Sequence, residues 1–201
     1  MGSNLLETLP FPATDIERRL GFFKYNPPKI KYAAAERLGN EIPRFVDVFY
    51  GLTERLGHIP VFEEFMGAYM RQCDTVYPCK GEMREGIYAR AARAYPSIVR
   101  DLHMSLMVRD AGVFDSVIYD KEVDMYDGID IEIVQNSQLY GVKLYVDTKN
   151  ARFYRDAKDY RHTAYKGKIV DMPLNLSDGD RHGDIYLYAG RHVAKLKEMI
   201  V

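Results

Sequence analysis

The hydrophobic pattern of the chain changes its period near residue 112. Before that point apolar residues recur at three- and four-residue steps, most clearly over residues 43–56, and this spacing is typical of amphipathic helices. After it the period becomes two, and residues 128–134 alternate isoleucines with acids, a pattern typical of half-buried strands. Helices followed by interleaved strands and helices predict an α/β protein with an N-terminal helical region.

The two patterns predict a full set of elements. Predicted helices cover residues 14–23, 32–38, 43–56, 61–71, 82–94 and 98–111, with a break at Pro96, and then 151–164 and 191–199. Predicted strands cover residues 113–119, 128–134, 142–149, 168–174 and 184–189. This order predicts a central mixed sheet flanked by helices on both faces. We therefore divide the chain into a helical region, 1–96, and an α/β core, 97–201.

Composition narrows the class of protein. The chain has 201 residues, 47% hydrophobic and 28% charged, as expected for a folded globular protein rather than a disordered one. No apolar run reaches the roughly 18 residues needed to cross a bilayer, and the N-terminus lacks the basic and apolar regions of a signal peptide. We therefore expect a cytoplasmic protein without membrane contact.

The net charge of −1 hides a strong segregation. Residues 1–109 carry a net charge of +2, residues 110–148 carry −7, and residues 149–201 carry +4. A near-neutral net charge argues against nucleic-acid binding, because proteins that bind nucleic acid usually carry an excess of basic residues. An acidic segment between basic flanks is instead what a cation site beside a phosphate-binding surface would look like.

Two acids and a lysine stand out within the predicted strands. Asp130 lies on one strand and Asp147 on the next, both on the polar face, and Lys149 projects to the same side two residues later. If these strands pair, the two carboxylates can converge on one Mg²⁺, which prefers oxygen ligands. A lysine beside such an ion can neutralise the charge that develops on a phosphate. The pattern therefore predicts metal-dependent phosphodiester chemistry.

This arrangement resembles the PD-(D/E)xK nuclease superfamily. The motif reads Asp130, sixteen residues, then Asp147-Thr148-Lys149, in an order of helix, three strands, helix and strand over residues 97–190. The resemblance implies a restriction-endonuclease-like core in which Asp130 and Asp147 bind Mg²⁺ with the backbone carbonyl of Thr148, and Lys149 is the catalytic lysine. Mn²⁺ could substitute, and two ions could bind. The sequence departs from the pattern at Ile129, where proline is usual, and at Asp147, where glutamate is commoner.

The resemblance further implies a Mg²⁺-dependent DNA endonuclease, with a restriction-type homodimer as the natural form at this size. A repair, junction-resolving or mobile-element nuclease is an alternative, as is a non-catalytic DNA-binding or protein-interaction module on the same fold. Additional candidate acids are Asp127, Glu132 and Asp101. We prefer Asp130 to Asp127 for the first position, because Asp127 adjoins Gly128 in an expected turn.

A structural interpretation competes with the catalytic one. Acids and lysines that alternate on a solvated sheet face often form cross-strand pairs without any catalytic role. Four basic residues are nevertheless candidates for nucleic-acid contact: Arg155 and Lys158, on one face of the predicted helix after Lys149, and Arg90 and Arg93. The predicted helix pair 43–71 resembles a helix-turn-helix, although its second helix begins with two glutamates, which favours a structural hairpin.

Overall fold

The computed structural model describes residues 4–28, 31–148 and 165–201. Its helices, in chain order, are α1 Leu5–Thr8, α2 Ala13–Leu20, α3 Ala33–Glu36, α4 Phe45–Leu56, α5 Phe62–Val76, α6 Gly81–Ala111, α7 Lys121–Asp127 and α8 Gly190–Ile200. Its strands are β1 Ser116–Ile118, β2 Ile131–Gln135, β3 Gln138–Val146, β4 Lys168–Leu174, β5 Asp180–His182 and β6 Ile185–Leu187. None of the helices described is both long enough and apolar enough to span a membrane.

Four strands form a mixed sheet in the order β1-β2-β3-β4. Strand β2 is antiparallel to both β1 and β3, whereas β3 and β4 are parallel. Asn136 and Ser137 join β2 to β3 with positive φ values of 51° and 62°, as a two-residue type I′ hairpin requires. Strands β5 and β6 form a separate hairpin. The predicted α/β class with a mixed sheet is confirmed.

Helix α6 links two hydrophobic clusters. One face of the sheet packs against the second half of α6 and against α8, through Met104, Val108, Ile131, Ile133, Val142, Leu144, Val170, Met172, Leu174, Val193 and Leu196. The other cluster joins the N-terminal helices to the first half of α6 around the buried ring of Tyr95. Met107 and Val117 pack against both clusters, so apolar contact continues from the helices to the sheet.

Helix α6 runs unbroken for 31 residues through Pro96, so the predicted break at Pro96 is wrong. A proline within a helix leaves the carbonyl four residues earlier without its N–H donor. Here that carbonyl belongs to Ala92, and the Tyr25 hydroxyl donates to it at 2.8 Å. A side chain from outside the helix thus replaces the missing bond. The predicted boundary between residues 96 and 97 falls inside this helix.

We expect Tyr25→Phe to lower the free energy of unfolding by about 1 kcal/mol, because the Ala92 carbonyl loses its donor while the ring remains. In a Pro96→Ala background the new N–H can reach that carbonyl, so the same change should cost less. Urea unfolding of the parent, both single variants and the double variant measures this coupling. An equal cost of Tyr25→Phe in both backgrounds would contradict this explanation.

The acidic segment contains a helix that the hydrophobic pattern does not predict. Helix α7 begins after Asp120, whose carboxylate accepts a hydrogen bond from the Glu122 N–H at 2.8 Å, and ends at Gly128, with φ of 63°. These are ordinary start and stop residues, but seven residues are too few to show a helical period. The neighbouring strands are also shorter than predicted. The predicted helix 151–164 lies outside the described residues.

The N-terminal segment pairs with the outer edge of β1. The Asn4 side chain donates to the Val117 carbonyl at 3.0 Å and accepts from the Tyr119 N–H at 3.1 Å. The Leu5 N–H donates to the Tyr119 carbonyl at 3.1 Å. Asn4 and Leu5 therefore bond to β1 much as a neighbouring strand would.

Candidate functional site

Asp130 lies immediately before β2, beside Val142 in the middle of β3. Its N–H donates at 2.9 Å to the carbonyl of Val142, the same residue that pairs with Ile131. Its carboxylate Oδ2 accepts a hydrogen bond from the Leu144 N–H at 2.5 Å. The carboxylate is therefore held against the β3 backbone in a fixed orientation.

Asp130 belongs to a carboxylate cluster with Asp101 of α6 and Asp124 of α7. Desolvation raises the pKa of all three carboxyls above the ordinary range, that of Asp101 to about 8. The charge of Asp124 further raises the pKa of Asp101, and both neighbours raise the pKa of Asp130. Acids from three separate elements therefore repel one another at one place in the fold.

Buried tyrosines explain why the carboxylate cluster is poorly solvated. Tyr119 is 1% exposed and donates its hydroxyl to Asp124 Oδ2 at 2.9 Å. Tyr50 packs against Tyr119 with a centroid distance of 4.8 Å. Burial raises the pKa of the Tyr188 hydroxyl, and the nearby charges of Asp101 and Asp130 raise it further. These rings displace water from the carboxylates, which favours their neutral form.

The basic residues near the carboxylate cluster are fewer than its acids. Arg100 opposes the rise in the pKa of Asp101, and Lys143 opposes the rise in that of Asp130. Lys143 is only 9% exposed, and its ammonium also pairs with Asp171 at 3.3 Å. The Arg100 guanidinium donates to the Tyr186 carbonyl at 2.8 Å. When the carboxyls ionise, their negative charge is therefore only partly balanced, and a bound cation would relieve the repulsion.

Asp147 follows the last residue of β3. The register of β2 and β3 ends at the pair of Ile131 with Val142, and Asp130 bonds to the same Val142. Asp147 lies five residues beyond Val142, about 16 Å at roughly 3.3 Å per residue. The Asp147 N–H donates to the Leu174 carbonyl at 2.8 Å, and the Thr148 N–H donates to the Val146 carbonyl at 2.8 Å. The register thus separates the two predicted metal ligands along the strand. Lys149 lies outside the described residues.

The other candidate acids are not members of the carboxylate cluster. Glu132 accepts a hydrogen bond from the Tyr165 hydroxyl at 2.9 Å, and the Tyr165 ring covers Gly141, where a Cβ would lie 2.5 Å from it. Asp127 is the last residue of α7. Of the additional acids predicted, the structure brings only Asp101 to Asp130. Asp124 was not predicted, and its only signal in the sequence is membership of the acidic segment.

The described basic candidates contact their own chain. The Arg90 guanidinium lies 5.2 Å from the centroid of the Phe45 ring and donates to the Ala35 carbonyl at 3.2 Å. Arg93 pairs with Glu36. Their contact with nucleic acid stays a prediction, while Arg155 and Lys158 lie outside the described residues. Helices α4 and α5 bury Phe49 and Phe65 in the core, which supports the structural interpretation of that helix pair.

The carboxylate cluster fits Mg²⁺ by its donor chemistry. Within residues 4–28, 31–148 and 165–201, no three acids, histidines or cysteines are close enough to hold one ion together. Mg²⁺, however, usually takes only one or two carboxylates and completes its coordination with water and substrate phosphates. The oxygens of Asp101 and Asp130, which repel each other in the absence of a cation, are suitable ligands of that kind.

No family model, no curated protein and no solved structure matches the chain. The functional conclusion therefore rests on the chemistry of the side chains in and around the carboxylate cluster. That chemistry consists of desolvated carboxylates beside the start of β2, with a buried lysine and an arginine close by.

Proposed function

We propose that the chain is a Mg²⁺-dependent endodeoxyribonuclease of the PD-(D/E)xK type, acting on DNA as a restriction-type homodimer. The carboxylate cluster is the observation that carries this proposal. Three desolvated acids whose charges repel one another lower the stability of the folded protein, and perturbed groups of this kind concentrate at functional sites. A divalent cation would offset this loss of stability. The basic segments on both sides of the acidic segment suit a phosphate substrate.

Asp101 and Asp130 would hold the ion, with Asp130 oriented by the Leu144 N–H. A bound Mg²⁺ lowers the pKa of a coordinated water and stabilises negative charge on phosphate. Tyr119 fixes the orientation of Asp124 through its hydroxyl, so that this acid can accept a proton from the water or bind it. Lys149 would neutralise charge on the phosphate, and Asp147 would face a different part of the substrate backbone.

The test is cleavage of plasmid DNA with Mg²⁺ by the full chain. We expect Asp130→Asn and Asp101→Asn to reduce cleavage by more than the about 10- to 100-fold typical of residues that only orient a metal ligand. Glu132→Gln is the matched control, because Glu132 lies on β2 two residues from Asp130 but outside the carboxylate cluster, and it should cut at nearly the parental rate. EDTA should stop cleavage by the parent.

Asp147→Asn and Lys149→Gln test the sequence-based assignment separately. Reduced cleavage by both would support the Asp147-Thr148-Lys149 motif as part of the site. Unchanged cleavage by Asp130→Asn would contradict the proposed function itself. DNA binding that persists in EDTA without any cleavage would instead support the non-catalytic module.

A further inference from the structure

A groove with mostly apolar walls lies between α2, the end of α6 and α8. Small or apolar residues form most of its wall, among them Ala13, Ala111, Gly190, Val193 and Ala194. Its volume is about 520 Å³, whereas a cavity of about 150 Å³ lined by apolar side chains already holds a benzene ring. We call it the α2 groove, and it has room for an aromatic side chain.

An exposed aromatic ring lies just past the other end of α2. Phe22 is 95% exposed, so almost its whole ring is in contact with water. Aromatic rings gain more than most side chains when an interface buries them. The first residues of α2 line the α2 groove, and the ring follows its last residue. One short helix therefore presents both a ring and a groove that can receive a ring.

Phe22 continues one exposed face of α2. Thr14, Arg18 and Phe22 follow one another at four-residue steps, and residues four apart lie on the same face of a helix. Helix α2 ends at Leu20, but Gly21 keeps helical dihedral angles, with φ of −53° and ψ of −32°, so the helical path reaches Phe22. Thr14, Arg18 and Phe22 are all exposed. A second molecule can therefore approach this face of the helix.

The charges on this face match those of a second copy that runs in the opposite direction. In a contact about a two-fold axis each residue pair occurs twice. If Phe22 of one copy faces Ala13 of the other, Arg18 faces Glu17, and two equivalent ion pairs form. Arg18 now pairs with Asp15 at 2.9 Å on the surface. Surface pairs of this kind are weak, so the guanidinium can turn to Glu17 of a second copy.

Glu17 is the acid of the α2 groove that suits an arginine from outside. Its Oε1 lies 2.9 Å from Nε2 of the buried His103, so the protein interior orients the carboxylate, yet the side chain is partly exposed. Asp110 also lines the groove but already pairs with Arg109. Lys197 of α8 balances the charge of Glu17, so the groove favours an apolar group over a free ion.

We propose that two copies of this chain associate through α2, with Phe22 of each copy seated in the α2 groove of the other and Arg18 paired with Glu17 of the other. Both molecules use the same surface, so the contact closes as a dimer and does not extend into a fibre. Its role rests on the proposed function, because a nuclease that cuts both strands as a homodimer needs a contact between its copies.

Sedimentation velocity of the full chain at increasing concentration measures this association without DNA or metal. The parent should form a dimer that dissociates on dilution. Phe22→Asp should weaken the dimer by at least about 100-fold, because each dimer loses two buried rings and such anchors carry most of the binding free energy. Val76→Asp is the matched control. Val76 is also an exposed apolar residue at the end of a helix, but it does not line the groove, so the dimer should be unchanged.

Ala194→Trp tests the contact from the side of the groove. Ala194 is exposed on α8 and lines the α2 groove, so a large ring at this position fills the space for Phe22 without entering the core. This variant should weaken the dimer about as much as Phe22→Asp does. Met199→Trp adds the same ring at an exposed position of α8 outside the groove, and it should dimerise as the parent does.

Mixing the two weakened variants gives a result that a misfolded protein cannot produce. In a mixed dimer the intact groove of the Phe22→Asp chain receives Phe22 of the Ala194→Trp chain, so one of the two contacts is restored. The mixture should therefore associate more tightly than either variant alone. The proposal is overturned by no gain on mixing, by a dimer that survives Phe22→Asp, or by a parent that stays monomeric at every concentration.

The two proposals fail separately. A dimer that depends on Phe22, in a protein that never cuts DNA, would keep the α2 contact and reject the nuclease. Cleavage that depends on Asp130, in a protein whose association is unchanged by Phe22→Asp, would do the reverse.

Discussion

Asp101→Asn should stabilise the protein by several kcal/mol above pH 8, measured in EDTA. The pKa of Asp101 is raised to about 8 because the carboxyl is desolvated and faces Asp124. Each unit of pKa shift corresponds to about 1.4 kcal/mol. The Asp101 side chain also hydrogen-bonds with Ser97. Asparagine keeps the shape of the side chain and can keep this bond, but it places no charge beside Asp124 and Asp130.

The gain should depend on pH in a definite direction. In the unfolded chain an aspartate has a pKa of about 3.9, so between about pH 4 and 8 the folded state holds a proton that the unfolded state does not. Stability of the parent therefore falls as pH rises through this window. The variant has no such proton, so its advantage should be small near pH 4 and greatest above pH 8.

Urea unfolding at pH 4, 6, 8 and 9 measures this difference. Glu54→Gln, which removes an exposed acid in the last turn of α4, is the control and should change stability by less than about 0.5 kcal/mol. A stabilisation of Asp101→Asn that is the same at pH 4 and pH 9 would show that the carboxylate cluster does not repel as described.

Tyr95→Ala should cost about 3–5 kcal/mol of stability, the range for removing a large buried ring. Tyr95 is 0% exposed, and its ring centroid lies 5.4 to 6.1 Å from those of Phe23, Phe49, Phe62 and Phe65. The total free energy of unfolding of a small domain is only about 5–15 kcal/mol. The variant should therefore be close to unfolding at ordinary temperature.

Tyr95→Phe is the matched control for this ring. It keeps the aromatic packing and loses only the hydroxyl bond to the Pro60 carbonyl, which is 3.0 Å long, so it should cost about 1 kcal/mol. Denaturant unfolding compares the two variants. A Tyr95→Ala cost no larger than that of Tyr95→Phe would mean that the aromatic cluster does not stabilise the helical region.

Elements with a strong local period were predictable from sequence. Residues 168–174 alternate well enough that the predicted strand and β4 have the same bounds, and the amphipathic segment 43–56 contains α4. The continuity of α6 was not predictable, because it depends on Tyr25, which is distant in the chain from the Ala92 carbonyl that it satisfies. Sequence rules for proline consider only neighbouring residues, so they do not anticipate a hydrogen-bond donor from a distant part of the chain.

The candidate site was predictable only in part, for a geometric reason. A period of two assigns Asp130 and Asp147 to the same face, but it does not say how far apart they lie along the strands. That distance follows from the register, which the two-residue turn at Asn136 and Ser137 sets. Asp101 and Asp124 reach Asp130 from helices, and strand alternation carries no information about them.

The pairing of Asn4 and Leu5 with β1 also bears on how the protein behaves at high concentration. An open sheet edge is a template on which a second molecule can add a strand, and this is a common start of aggregation. The Val117 carbonyl on β1 and both backbone groups of Tyr119, the residue after β1, are already bonded to the N-terminal segment. Another molecule would first have to displace residues 4 and 5, so this edge of the sheet is protected against the addition of a strand from a second molecule.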